Sequence, residues 1–274
     1  MQPVRLHPVI YTLKEKTMNK ITPLILMCSL LFITSTAHAE KITIAAAADL
    51  KFAMDEIAAE FKKANSDDEI EAIYGSSGKF STQIRQGAPY DLYFSADIAF
   101  PRDLAKSGLA ASEAIPYALG RIVLWSATQD ASMMTLESLT DPQITRIAIA
   151  NPKHAPYGKR AQEALLSTNL WDKVEKKLIY GENIAHTAQF VQTGNAQVGI
   201  IALSLAVNPE LTSKGGYWLI PDNLHEPLEQ GYIITRRAAD NKLAQNFADY
   251  MGSLPARAVM TKYGFVLPGE ASGK

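Results

Sequence analysis

Short apolar strand-like runs alternate with stretches of helical period along most of the chain. Lys41-Ile-Thr-Ile-Ala-Ala reads as a strand. The helix after it, Leu50 to Ala64, carries Leu50, Met54, Ile57, Ala58 and Phe61 at i, i+4, i+7, i+8 and i+11, one face of a 3.6-residue period. Asp49 stands where the N-cap of that helix belongs. Strands are expected at 69–74, 91–94, 121–126, 146–150, 177–180, 198–203 and 231–235. Helices are expected at 80–86, 101–107, 136–139, 159–167, 183–193, 241–251 and 255–263. Strands joined by crossover helices imply an α/β fold with largely parallel sheets.

Four strand-to-helix turns are built of small or capping residues: Ala45–Asp49, Gly75–Gly78, Ala155–Gly158 and Gly181–Asn183. In open α/β sheets ligands sit at the carboxyl ends of strands, where such turns lie. A helix start offers unpaired N–H groups and the positive end of a dipole. If the four turns converge, they form an anion cradle.

The segment Tyr74-Gly75-Ser76-Ser77-Gly78-Lys79 resembles a phosphate loop only superficially. That motif needs Gly five residues before the Gly-Lys pair and Ser or Thr after the Lys, and here the positions are Ile73 and Phe80. What remains is a turn of neutral donors suited to a small anion, or an ordinary turn. Tyr157 is a packing aromatic at a helix start or a donor there. Ile184 is a core side chain that also exposes its N–H. Lys51, Lys79 and Lys153 flank these turns as steering or solvated charges, and His154 and His186 read as surface residues.

The two ends and the composition narrow the class. Met18-Asn19-Lys20, the apolar run Pro23–Ile33 and Ala37-His38-Ala39 have the form of a secretory signal peptide cleaved after Ala39. The first 17 residues then reflect an upstream start codon. The single cysteine, Cys28, falls in that run, so the part from Glu40 to Lys274 has none. Disulfides, thiol catalysis and cysteine metal sites are thereby excluded from it. The 27 basic and 28 acidic residues nearly balance, which argues against a nucleic-acid partner. No paired-histidine spacing, Gly-x-Ser-x-Gly elbow or carboxylate pair stands out, so no catalytic residue and no direct cation ligand is assigned.

Taken in order, Ile44–Leu50, Tyr74–Gly78, Gly87–Asp97, Ile149–Gly158, Val198–Ile201 and Tyr263–Phe265 resemble the periplasmic molybdate-binding proteins of ABC importers, which are type II solute-binding proteins. The resemblance implies a two-lobed α/β fold with mixed sheets flanked by helices and the ligand in the inter-lobe cleft. It implies lobe 1 from 40–120 plus 231–268, lobe 2 from 121–230 and a tail at 269–274. The hinge crossings would lie near Leu119–Arg121 and Glu229–Tyr232. It implies a binding protein rather than an enzyme, without a cofactor, that captures molybdate or tungstate in the periplasm. It also implies delivery to a membrane permease and ATPase, and a monomer. The ligand positions it carries over fall on Ala48, Asp49, Ser76, Ser77, Tyr157 and Ile184. Some members place a Tyr where this chain has Ala202, and Tyr157 is expected to supply that hydroxyl.

Asp49 departs from the family, whose members often carry Ser, Thr or Asn there. A carboxylate at close range repels a dianion. Either Asp49 turns along the chain to cap its own helix and offers only N–H, or it accepts a proton from a protonated oxyanion. An exported hydrolase, a sensing domain of a regulator and a carrier of sulfate, phosphate or chromate are the competing readings.

Overall fold

A computed structural model describes residues 40–212 and 215–269. The expected signal peptide, its cleavage site, Cys28 and most of the tail lie outside the described residues. Two five-stranded mixed sheets form two lobes. The first sheet has the order β2-β1-β3-β10-β4, from β1 (Lys41–Ala47), β2 (Glu69–Gly75), β3 (Leu92–Ser95), β4 (Ile115–Gly120) and β10 (Leu228–Ile234). β1 runs parallel to β2 and β3, and β10 runs antiparallel to β3 and β4. The second sheet has the order β7-β6-β8-β5-β9, from β5 (Ile122–Trp125), β6 (Ile147–Ala150), β7 (Leu178–Gly181), β8 (Val198–Ala202) and β9 (Tyr217–Leu219). It repeats the same plan: β6 is parallel to β7 and β8, and β5 is antiparallel to β8 and β9.

The main helices are α1 (Lys51–Ala64), α2 (Ser77–Arg85), α3 (Ala99–Lys106), α4 (Pro156–Ser167), α5 (Ile184–Gln192), α6 (Lys242–Tyr250) and α7 (Leu254–Lys262). The apolar face foreseen for α1 is the face that packs: Met54, Ile57 and Phe61 are buried, with Ala58 half-buried beside them. Phe61 meets the rings of Phe247 and Tyr250 edge-on, tying α1 to α6. Among the described residues no helix is long and apolar enough to cross a membrane.

The chain leaves the first sheet between Gly120 and Ile122 and returns to it between Leu219 and Leu228. The return expected at Glu229–Tyr232 falls inside β10. The sheets are mixed rather than largely parallel because the strands beside these crossings, β4, β5 and β10, run against their neighbours. Where the lobes meet, the chain is built of small residues. Ala47, Ala48 and Ala96 share one buried cluster with Ile149, Tyr157 and Ile184 of the second lobe. Side chains of one carbon let the two backbones approach closely at that point.

Candidate functional site

Each of the four foreseen turns follows a parallel strand and opens a helix. The chain passes from β1 through a 3-10 turn, Ala48–Leu50, into α1, and from β2 directly into α2. It passes from β6 through a turn into α4, and from β7 through Asn183 into α5. Two helices begin three residues earlier than their periodicity indicates. α2 starts at Ser77 rather than Phe80, and α4 starts at Pro156 rather than Lys159. Proline at the first helical position costs nothing, because its missing N–H has no partner there anyway. The earlier starts put Ser77 and Tyr157 in first turns, where N–H groups lack intrahelical acceptors.

All six anticipated residues line one small cavity between the lobes: Ala48, Asp49, Ser76, Ser77, Tyr157 and Ile184. It is small, about 10 Å³ in volume. That is room for about one water. Larger hollows of about 490 and 390 Å³, beside Trp171 and beside His186, do not gather these turns.

The two serines do different things. Ser76 Oγ donates its single proton to the His154 carbonyl at 2.6 Å, which leaves His154 Nδ1, at 3.0 Å, as donor to Ser76. Gly78 N–H also donates to that carbonyl, at 3.0 Å. Ser76 and Gly78 belong to the first lobe and His154 to the second, so these bonds clasp the cleft. His154 is thus a half-buried partner rather than the surface residue expected. Burial, then the nearby Lys79, holds its pKa below the usual value, which keeps the ring neutral. Ser77 Oγ instead accepts the Ala96 N–H at 3.0 Å, and its own proton is uncommitted. At α5, the Asn183 side chain takes the His186 N–H at 2.9 Å. The N–H groups of Ile184 and Ala185 are left without an intrahelical acceptor.

Asp49 overturns the capping expectation. Neither the 3-10 turn nor α1 has a side-chain cap. The carboxylate points across the cleft instead. Its Oδ2 accepts from Tyr157 Oη at 2.9 Å and from Gln230 Nε2 at 2.8 Å. Gln230 Nε2 also reaches Tyr157 Oη at 3.0 Å, and Gln230 Oε1 accepts from Tyr117 Oη at 2.6 Å. The Ser204 hydroxyl donates to the Asp49 carbonyl at 2.8 Å. Oδ1 is buried with no hydrogen-bond partner. Burial raises the carboxyl pKa to about 6, against the opposing bonds from Gln230 and Tyr157 and the nearby N–H groups of Asp49 and Leu50. Burial, then the neighbouring Asp49, drives the Tyr157 phenol well above its ordinary range.

The Tyr157 hydroxyl, expected as a donor to the ligand, therefore gives its proton to Asp49. What remains for the cavity at this turn is backbone. Sequence reasoning missed Gln230 and Tyr117 entirely. The available signal was Gln230 itself, an amide inside the run Leu228-Glu-Gln-Gly-Tyr-Ile-Ile that a central strand must bury. Among the described residues no group of three or more His, Cys, Asp or Glu is placed to hold a metal ion.

Residues 42–266 match the model of the bacterial extracellular solute-binding proteins. The chain belongs to that family. It is 35% identical over 232 residues to the molybdate-binding protein ModA of Azotobacter vinelandii, covering 84% of this chain and 92% of that one. It is 34% identical to the molybdate-binding protein ModA of Rhodobacter capsulatus, covering 70% of this chain and 75% of the relative. The solved structure of the Azotobacter vinelandii periplasmic molybdate-binding protein superposes with a TM-score of 0.78. That match has 30% identity and covers 83% of this chain and 99% of the other. The two sheets described above are thus the two lobes of a solute-binding protein, and the cavity occupies the cleft between them.

Proposed function

We propose that the protein captures molybdate, and tungstate with it, in the cleft between its lobes outside the cytoplasmic membrane. It hands the anion to the permease and ATPase of an ABC importer. The observation that carries this reading is the ring of neutral donors from both lobes around one cavity. The Ser77 hydroxyl and the N–H groups of the Ala48–Asp49, Tyr157 and Ile184 turns surround it, with no cation among them. Neutral donors at helix starts satisfy an oxyanion through several hydrogen bonds and release it again when the lobes part. Named relatives that bind molybdate support the choice of anion. The lobes of this reading are 40–120 with 228–268, and 122–219. The protein works as a monomer, makes and breaks no covalent bond and holds no cofactor. Its export signal is the N-terminal segment ending at Ala39.

Titration calorimetry with molybdate, tungstate, sulfate, phosphate and chromate tests the reading. Molybdate and tungstate, nearly equal in size, are expected to bind alike, and the smaller sulfate far more weakly because its oxygens cannot reach all the donors. Tight sulfate binding with none for molybdate overturns it.

Ser77→Ala removes the free hydroxyl proton and leaves the Ala96 N–H without its acceptor. An expected loss of roughly 2–3 kcal/mol weakens the anion about 30- to 150-fold. An effect below threefold by calorimetry would mean Ser77 is not a ligand donor.

Lys79 of the first lobe and Glu182 of the second meet at 2.9 Å, both about half-exposed. Exposed pairs contribute about 0–1 kcal/mol and are screened by salt. Lys79→Ala is expected to weaken binding no more than about fivefold at low salt, with the difference fading at ~0.5 M salt.

A further inference from the structure

Asp49 carries an unequal pair of oxygens. Oδ2 is held by Tyr157 and Gln230, while Oδ1 is buried, unpartnered, and belongs to a residue 1% exposed that lines the cavity. The rest of the lining is neutral. The Tyr157 phenol of α4 and the Gln230 amide of β10 meet the Asp49 carboxylate, the Ser204 hydroxyl of the 203–206 helix bonds the Asp49 main-chain carbonyl, and the two serines of the α2 turn line the cavity. Tyr117 of β4 stands behind Gln230. The lysines that flank these turns are engaged elsewhere: Lys51 pairs with Asp55 and Lys79 with Glu182. No cation contributes to holding the Asp49 charge. An anion oxygen against Oδ1 would therefore meet a buried carboxylate oxygen that no side chain donates to, where repulsion is strong. One proton between the two oxygens turns that repulsion into a short, charge-assisted hydrogen bond.

We propose that the cleft binds its oxyanion together with one proton, taken from solvent and shared between Asp49 Oδ1 and an oxygen of the anion. The inference rests on the oxyanion reading above and deepens it: Asp49 sets the protonation state in which the anion is held. The balance is simple. One hydron is withdrawn from bulk water, one O–H···O bridge forms, and no covalent bond of the anion breaks. The carboxyl and the anion titrate as a unit, so the proton belongs to the pair. Burial that already raises the carboxyl to about 6 lowers the cost of this uptake near neutrality.

Calorimetric titration of the full protein with sodium molybdate, in two buffers of different ionisation enthalpy at pH 7.5, reads the proton directly. About one proton taken up per anion is expected. Between pH 7 and 9 the Kd should rise about tenfold per pH unit, the slope of a one-proton linkage. Asp49→Asn, whose amide donates where Oδ1 stands, should take up none, show a flat profile, and bind more tightly than the natural protein at pH 8.5 by tenfold or more. Molybdate binding by the natural protein with no proton exchange and a flat profile overturns the proposal whatever the variant does. A slope that persists in Asp49→Asn assigns the proton elsewhere and also overturns it. No binding of any of the five anions by the natural protein overturns the oxyanion reading itself, and the proton with it.

Discussion

Gly78→Ala is expected to uncouple ligand capture from folding. A methyl group at position 78 would stand 2.7 Å from the His154 carbonyl oxygen and 3.1 Å from its Cα, both backbone atoms of the opposite lobe. Nothing there can swing aside as a side chain would. Residue 78 lies in the first turn of α2, so alanine suits its conformation and favours the helix by up to about 1 kcal/mol. The lobe that carries it should therefore fold as before. Closure is what suffers. Overpacking costs about 1–3 kcal/mol, and losing the Gly78 N–H bond to His154 adds about 1 more. Together they predict a roughly 30- to 1000-fold loss in molybdate affinity. The melting temperature without ligand should not fall and should rise by no more than about 4 °C, while the rise on adding molybdate largely disappears. Affinity within threefold of the natural protein would show that the clasp is absent from the liganded state.

Gly120→Ala is expected to strike the fold and the site together. A Cβ here would lie 2.4 Å from Tyr157 Oη and 2.5 Å from Gln230 Nε2, the two groups that hold Asp49. Both side chains are fully enclosed, so neither can withdraw into solvent. Forced apart, they would give up their bonds to Oδ2. We expect a loss of about 2–4 kcal/mol, which for a chain of this size lowers Tm by roughly 5–15 °C. The loss should depend on pH in a defined sense. The Asp49 carboxyl titrates at about 6 in the folded protein against an ordinary value of 3.8, so its folded form favours the proton. Ionising it in place lowers stability as pH rises through 6, and the penalty vanishes below about pH 4. Removing two bonds to the charged form enlarges that penalty. The Tm gap between variant and natural protein should accordingly be wider at pH 8 than at pH 5. A gap that is equal at both, or wider in acid, would mean the bonds to Oδ2 do not support the carboxylate.

Much of the fold was legible because its strands are continuous apolar runs and its long helices keep their period. β4 escaped because Pro116 interrupts Ile-Pro-Tyr-Ala-Leu-Gly, and proline argues against a strand. It is tolerated because β4 is an edge of its sheet. β9, only three residues long, has no room for a pattern. The candidate site was legible where a local device marks it: the small-residue turns and the Asn183 cap. It was opaque where partners lie far apart in sequence. Nothing near Asp49 announces that residues 108 and 181 positions away will take its carboxylate, so a short-range capping role was the natural reading. The difference between Ser76 and Ser77 was equally hidden. It is decided by an acceptor on His154 and a donor on Ala96, neither of which adjoins them.

The place of β10 in the first sheet bears on how the molecule is assembled. The second sheet takes all its strands from an unbroken stretch, 122–219, and can be completed as soon as that stretch exists. The first cannot. Its β3 and β4 are joined only through β10, which arrives after the whole second lobe has been threaded out and back. Until residue 234 is in place, two bare edges face one another with unpaired N–H and C=O groups. Closing that seam means bringing together segments more than 100 residues apart, an entropically late event. The second lobe should thus be the early, self-sufficient nucleus and the first the late one. A chain cut short before β10 would keep a sound second lobe and a first lobe open down its middle.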